Sequence, residues 1–291
     1  MSGHHVATYY QTIYDNGVYV SPLPLLGFIT HVFLAAWHID SDFSIHLNDN
    51  PPTDPMFTQM WTELGEMQDQ GVKVLGMLGG AAPGTYSALE SNFTGYYEPL
   101  RDYIAEFKLD GMDLDVEQDT SLALVEQLIT QLKSDFGEDF LITLAPVASA
   151  LTEGANLSGF DYVSLEDAMG DQIAWYNAQF YSGFGTLDPD TGYINIINYM
   201  GIDPSRLVAG VLTNSANGGG FISINDVVDS VHQLTAMYPT FGGVNGWEYF
   251  NSLPNANEPW EFAQTMQAAM ATNSKRSASR IEAREEAVHA N

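Results

Sequence analysis

The chain contains no cysteine, so no disulfide can form and the fold of all 291 residues must rest on its apolar core. Basic residues are also scarce, because only 9 Lys and Arg stand against 37 Asp and Glu, a net charge of −28. This balance argues against nucleic acid and anionic membranes as partners, since both require a basic surface. The simplest consequence of the charge is solubility.

The N-terminal residues lack a basic start followed by an apolar run, so neither a signal peptide nor a membrane-spanning helix is predicted there. The histidines, including His4 and His5, are scattered without zinc-like spacing, and no metal or other cofactor is predicted. Asn92-Phe93-Thr94 and Asn156-Leu157-Ser158 match the acceptor pattern for N-glycosylation. Such triplets also arise by chance, so they are only a weak indication of the secretory route.

Strand-like and helix-like segments alternate along the chain. The strand candidates are 6–11, 31–39, 73–78, 111–117, 140–146, 173–181, 207–213 and 243–250, and the helix candidates are 56–70, 96–107, 121–136, 194–200, 224–238 and 258–271. Eight strands that alternate with helices predict an α/β fold, a single (β/α)₈ TIM barrel. The first, second and fifth crossovers look irregular, so we expect their loops to shape the site.

The segment between the last two strand candidates is about thirty residues long, enough for one helix and its loops. An inserted α+β domain is therefore not predicted. We assign residues 1–273 to the barrel. Residues 274–291 carry 4 of the 9 basic residues, and we predict a flexible C-terminal tail without a catalytic role.

The most informative segment is 110–117, with the sequence DGMDLDVE. In a strand, Asp113, Asp115 and Glu117 lie on one face, and the apolar residues between them lie on the other. In a parallel barrel the apolar face packs under helices and the acidic face leads into a pocket. Crowded carboxyls in a partly desolvated place share protons, so one of them can protonate a leaving oxygen.

This segment has two other interpretations. An edge strand with a solvated acidic face is the ordinary reading, but the spacing from Asp110 onward, followed by a helix-like segment, disfavours it. The alternating carboxylates also resemble a calcium loop. However, Gln118 stands where that loop needs glycine, and the glutamate expected at its twelfth position is missing.

DGMDLDVE matches the DxxDxDxE signature of glycoside hydrolase family 18, the chitinases and endo-β-N-acetylglucosaminidases, at Asp110, Asp113, Asp115 and Glu117. The chain most resembles the small fungal endo-β-N-acetylglucosaminidases of that family. The resemblance extends over residues 6–254, and the segments that carry it are 46–49 (HLND), 79–84 (GGAAPG), 141–149 (LITLAPVAS) and 246–254 (GWEYFNSLP).

The resemblance implies a catalytic set. Glu117 would be the general acid and then the general base, while the acetamido oxygen of the substrate attacks the anomeric carbon and forms an oxazolinium ion. Asp115 would hold the acetamido N–H, and Asp113 would exchange a proton or hydrogen bond with Asp115. Tyr181 would donate to the acetamido oxygen.

The resemblance also implies a set of substrate-binding residues: Asp110, Gly79, Gly80, Asn177, Gln179, Trp247 and Tyr9. Asp110 would in addition support the turn into the strand. Gly79 and Gly80 belong to the SxGG motif, in which Met77 replaces the serine, so a contact by that serine hydroxyl is in doubt here. Asn177 and Gln179 share a strand face with Tyr181, but both could instead be ordinary inward polar residues. Trp247 could equally be core, and so could Tyr9, Tyr10 and Trp37.

We therefore predict an endo-β-N-acetylglucosaminidase that cleaves the β-1,4 bond in the di-N-acetylchitobiose core of N-glycans with retention. A chitinase of the same mechanism is the alternative. A glycan-binding lectin is less favoured, because such lectins usually lose the glutamate retained here as Glu117. The expected partner is an N-glycan or chitin-like oligosaccharide, and the resemblance implies a secreted enzyme, which we expect to be monomeric.

Overall fold

The computed structural model describes residues 3–271. Its centre is a barrel of parallel strands: β1 (His5–Tyr10), β2 (His31–Ile39), β3 (Lys73–Gly79), β4 (Gly111–Asp115), β5 (Leu141–Leu144), β6 (Trp175–Gln179), β7 (Leu207–Leu212) and β8 (Gly243–Trp247). Each strand pairs with the next, and β8 pairs with β1. The predicted single (β/α)₈ barrel is confirmed.

Helices surround the barrel: α1 (Thr58–Asp69), α2 (Thr85–Ser91), α3 (Phe93–Glu106), α4 (Leu122–Phe136), α5 (Tyr162–Met169), α6 (Thr191–Met200) and α7 (Ile224–Met237), and residues 261–271 are also helical. α4 shows how the sequence sets such an element. The Ser121 side chain accepts from Leu124 N at 3.2 Å and caps its start. Leu124, Leu128 and Leu132 recur at helical spacing and are buried.

The two faces of β4 have different environments. Met112 and Leu114 belong to the apolar layer between the strands and the helices. Asp113 points the other way, into the barrel, where Phe33, Leu75 and others form a smaller apolar cluster. The pleat of the strand thus directs the carboxylates inward, as the alternation predicts.

Additional short elements lie near the carboxyl ends of the strands. β2 continues into a hairpin whose return strand is Ile45–Leu47, and a second hairpin joins Tyr14–Asp15 to Val18–Tyr19. Between β7 and β8, residues 213–242 hold one α-helix, α7, and no inserted domain. Among the helices of residues 3–271, none has both the length and the apolar character needed to cross a bilayer. The predicted tail, 274–291, lies outside the described residues.

Candidate active site

A pocket of about 340 Å³ opens at the carboxyl ends of the strands, where active sites of such barrels lie. It gathers predicted residues from several strands. Its lining includes Tyr9, Gly79, Gly80, Asp115, Glu117, Gln179, Tyr181 and Trp247. Residues far apart in sequence therefore converge on one cavity.

Asp113 lies just below the pocket and is fully buried. Its Oδ1 accepts hydrogen bonds from Thr143 Oγ1 at 2.6 Å and Asn177 Nδ2 at 3.0 Å, and its Oδ2 accepts from the Tyr9 hydroxyl at 2.8 Å. Burial raises the pKa of Asp113, while these three donors act against that rise. Sequence reasoning missed Thr143, although it falls on the inward face of β5.

Asp115 and Glu117 are joined by one amide. Gln179 Nε2 lies 3.1 Å from Asp115 Oδ1, 3.1 Å from Glu117 Oε1 and 2.8 Å from the Ala145 carbonyl oxygen. Burial, followed by the charges of Glu117 and Asp113, raises the pKa of Asp115 well above its usual range. The crowding of these carboxyls thus favours the protonated form of Asp115, beside Glu117.

Tyr181 follows β6 and is half-buried in the pocket wall. Burial, followed by the charge of Asp115, raises the pKa of its hydroxyl well above the usual range, so the hydroxyl stays protonated and can donate. Within residues 3–271 no hydrogen-bond acceptor is found for it. Its proton is thus available to a bound molecule.

Gly79 and Gly80 let the backbone of β3 approach Asp115. Both have left-handed backbone geometry, with φ of +97° and +96°. A Cβ on Gly79 would lie 2.4 Å from the Asp115 carbonyl oxygen, a distance that no side chain tolerates. Gly80 N donates to the same oxygen at 2.9 Å. The pair therefore leaves open space directly above the Asp115 carboxyl, and the buried Met77 lines the pocket nearby.

The aromatic candidates separate into two groups. Trp247 is half-buried in the pocket wall, and its ring meets the edge of Tyr9 with the centroids 5.2 Å apart. Tyr10 and Trp37 belong to the outer core. The Tyr10 hydroxyl donates to the Val20 carbonyl at 2.6 Å, and Trp37 is fully buried. Tyr10 and Trp37 are therefore core residues.

Two residues grouped with the substrate-binding set lie away from the pocket. Asp110 stands at the opposite end of β4, where its carboxylate accepts from Lys73 Nζ at 2.8 Å and Val74 N at 2.9 Å. Asn177 is buried below the pocket, where it donates to Asp113 and accepts from Trp175 Nε1 at 2.9 Å. Neither residue belongs to the lining of the pocket. Asp110 supports the turn into β4, and Asn177 supports Asp113.

A second, open basin of about 780 Å³ adjoins the pocket and shares Gln11, His38 and Ala82 with it. Its lining is mostly polar and includes Asp40, His46, Asn48, Asp49 and Asn50. His46 Nδ1 contacts Asp40 Oδ2 at 2.9 Å. Its walls come from the loops after β1, β2 and β3. The first two are among the irregular crossovers expected to shape the site, but the sequence did not predict the basin itself. Among residues 3–271, no group of three or more His, Asp or Glu side chains is arranged to hold a metal ion.

Comparisons with known proteins agree with this geometry. A fungal endo-β-N-acetylglucosaminidase of glycosyl hydrolase family 18 is 45% identical, with 90% of this chain and 96% of that chain covered and a TM-score of 0.87. The chitinase ChiC from Aspergillus fumigatus is 44% identical, with coverage of 92% and 99% and a TM-score of 0.84.

A curated relative, Chitinase 2 of Rhizopus oligosporus, is 26% identical over 208 residues, which is 64% of this chain and 35% of that protein's length. Residues 5–211 match the family described as "Glycosyl hydrolases family 18". The chain therefore belongs to glycosyl hydrolase family 18.

Proposed function

We propose that this protein is an endo-β-N-acetylglucosaminidase that hydrolyses the β-1,4 bond within the di-N-acetylchitobiose core of N-glycans and retains the anomeric configuration. We also propose that it acts outside the cell as a monomer. The small number of exposed large apolar side chains among the described residues supports the monomer. Light scattering on the purified chain tests that state.

In the first step, Glu117 gives its proton to the glycosidic oxygen while the acetamido carbonyl oxygen of the substrate attacks the anomeric carbon. The bond to the leaving sugar breaks, and an oxazolinium ion forms. Asp115 accepts the acetamido N–H, and Tyr181 donates to the acetamido oxygen. Two observations support these roles: the pKa of Asp115 beside Glu117 is raised, and the Tyr181 hydroxyl has no acceptor within residues 3–271.

In the second step, Glu117 takes a proton from water as the water oxygen attacks the anomeric carbon. The oxazoline ring opens, and the acetamido group is regenerated. Trp247 and Tyr9 offer an apolar platform for the sugar ring in the pocket. Asp113, held by three donors, lies below Asp115. With burial and the charge of Glu117, the charge of Asp113 raises the pKa of Asp115.

The observation that carries the N-glycan assignment is the polar basin beside the pocket. A linear chitin chain is typically held by a row of aromatic platforms. In this basin Phe57 is buried, and only Tyr14 among the aromatic residues is exposed. Asp, Asn and His side chains dominate instead, which suits the many hydroxyl groups of a branched mannose arm. The absence of an inserted domain between β7 and β8 supports the same open cleft.

A chitinase is the second candidate, favoured by the resemblance to chitinases at 44% and 26% identity. Both candidates use the same chemistry and differ in what occupies the cleft. A non-hydrolytic lectin is disfavoured, because Glu117 is present and lies in the pocket.

The deciding experiment incubates the protein in parallel with a high-mannose glycoprotein and with chitin oligomers, and Glu117→Gln serves as the control for contaminating activity. We expect the glycoprotein to lose its glycans at much the higher kcat/KM. Mass spectrometry should find one N-acetylglucosamine left on each asparagine. Release of chitobiose from chitin with no change in glycoprotein mass would establish the chitinase instead.

A further inference from the structure

Glu117 lies outside the sheet that positions the other carboxylates. β4 ends at Asp115, and the last backbone hydrogen bonds to the neighbouring strands are Gly80 N to Asp115 O at 2.9 Å and Ala145 N to Leu114 O at 3.1 Å. Glu117 stands two residues farther on. The sheet therefore does not fix its backbone, and other contacts must.

Ser158, in the loop before α5, supplies such contacts. Its hydroxyl donates to the Val116 carbonyl oxygen at 2.7 Å, directly before Glu117. Its own carbonyl oxygen accepts from Thr120 N at 3.0 Å, three residues after Glu117. One residue thus contacts the segment of Glu117 on both sides. Ser158 is only 2% exposed, so water does not compete for these bonds.

The direction of the hydrogen bonds follows from the number of protons. A serine hydroxyl has one hydrogen, and that of Ser158 points to Val116. The bond of 2.8 Å between Ser158 Oγ and the Tyr162 hydroxyl must then be donated by Tyr162. A chain of donors runs from Tyr162 through Ser158 to Val116, and each bond polarises the next.

Asn156 holds Ser158 in turn. Its Oδ1 accepts from Ser158 N at 2.8 Å, and its Nδ2 donates to the Phe160 carbonyl oxygen at 2.7 Å. Gly159 adopts φ of +80°, and a Cβ there would lie 2.9 Å from Asp119 Oδ1. The loop therefore packs closely against the segment that follows β4, and Leu157 reaches the pocket wall.

We propose that Ser158, held by Asn156 and Tyr162, is a positioning residue that fixes Glu117 where it can protonate the leaving oxygen. The proposal rests on the proposed role of Glu117 as general acid. It assigns the Asn156-Leu157-Ser158 triplet, a possible glycan acceptor by sequence, to positioning the acid. A general acid must lie within hydrogen-bond reach of the leaving oxygen, so a small displacement slows the cleavage step.

The test compares two leaving groups on one glycone. A trimannosyl N-acetylglucosamine unit is linked either to N-acetylglucosaminyl asparagine, which needs a proton to depart, or to 4-nitrophenol, which needs little protonation. Because kcat/KM reports the first irreversible step, it isolates bond cleavage from hydrolysis of the oxazolinium ion. We expect Ser158→Ala to lower kcat/KM for the asparagine-linked substrate by about 10- to 100-fold and to change it little for the nitrophenyl substrate.

Two further variants make the outcome interpretable. Tyr162→Phe removes the donor to Ser158 and keeps the ring, so it should show a smaller loss with the same dependence on the leaving group. Ser164→Ala removes an exposed hydroxyl nearby, whose partner is Asp161 at 2.7 Å, and should leave both rates unchanged.

The positioning role would be overturned if Ser158→Ala lowered kcat/KM equally on the two substrates. It would also be overturned if neither Ser158→Ala nor Tyr162→Phe lowered kcat/KM. Glu117→Gln distinguishes that failure from failure of the proposed function. Full activity of Glu117→Gln on the asparagine-linked substrate would mean that Glu117 is not the acid at all.

Discussion

Two histidines at the amino end of the barrel, the half-buried His5 and the buried His31, should make folding sensitive to acid. His5 stacks on Trp175 with the ring centroids 4.2 Å apart, and His31 meets the edge of Trp175 at 4.8 Å. Burial, followed by the charge of His4, lowers the pKa of His5 to about 4. Burial, followed by the charge of His5, lowers the pKa of His31 to about 3. Both are thus neutral in the folded protein at pH values where they are charged in the unfolded chain.

The sign and size follow from proton uptake. A histidine in the unfolded chain titrates near 6.5, so below that pH the unfolded chain binds protons that the folded protein excludes. The stability contributed by the neutral histidines is complete above pH 6.5 and is lost as the pH falls towards 4. In that window each histidine lowers the free energy of unfolding by about 1.4 kcal/mol per pH unit. At pH 4.5 the pair should cost about 3 to 5 kcal/mol, the lower value allowing for the partial exposure of His5.

The perturbation is the double variant His5→Phe and His31→Asn. Phenylalanine keeps the ring on Trp175, and asparagine keeps a donor for Thr30 Oγ1, which His31 Nδ1 contacts at 2.8 Å. Urea unfolding of both proteins between pH 8 and pH 4.5 gives the free energy of unfolding. We expect the parental protein to lose about 3 to 5 kcal/mol more than the variant over this range. The buried carboxyls are common to both proteins, so their titration cancels in the comparison. If the free energies of unfolding of the two proteins fell in parallel with pH, the role assigned to the two histidines would be refuted.

The remaining predictions concern the site. Glu117→Gln should lower turnover by at least about 10²- to 10⁴-fold while the unfolding midpoint stays unchanged; near-parental turnover would remove Glu117 from its role. Asp115→Asn should lose activity on glycans yet still accept a preformed sugar oxazoline as donor, which product analysis checks, and parental hydrolysis of glycans would contradict the orienting role. Gly79→Ala should cost about 1 to 3 kcal/mol in urea unfolding, because φ is +97° and the Asp115 carbonyl blocks a Cβ. Expressed in a glycosylating host, the chain should carry a glycan on Asn92 and none on Asn156; both are exposed, but the Asn156 amide already donates to the Phe160 carbonyl oxygen. A glycan on Asn156 in peptide mass spectrometry would contradict this.

The barrel could be predicted from sequence because its signal is local and repeated. Each strand is a short apolar or alternating run, and the long helices show helical spacing of leucines, as α4 does. α2 and α5 could not be predicted in the same way, since they have seven and eight residues and too few turns to show a period. The end of β4 at Asp115 was also not predictable, because the alternation continues through Val116 and Glu117 after the backbone has left the sheet.

The catalytic row could be predicted for a different reason. The period of two in DGMDLDVE places its carboxylates on one face wherever the segment is extended, and this pattern is visible in the sequence alone. Thr143 and Ser158 are not recognisable in this way, because a single hydroxyl on a strand or loop has no pattern that reveals its partner. The sequence predicted correctly that Asn177 faces the inside of the barrel, but not that it lies below the pocket. Alternation shows which face a side chain is on and not how far it is from the pocket.

Depth along that face decides what each carboxyl can do. Asp113 is fully buried but accepts from three donors, Asp115 is 5% exposed with one amide between it and its neighbour, and Glu117 reaches the open pocket. Burial raises the pKa of Asp115 most, the charge of Glu117 adds to this rise from above, and the charge of Asp113 adds to it from below. The raised pKa therefore belongs to the middle carboxyl, beside the side chain that we propose as the acid. Below it, the donors Tyr9, Thr143 and Asn177 come from three other strands and oppose the rise in the pKa of Asp113.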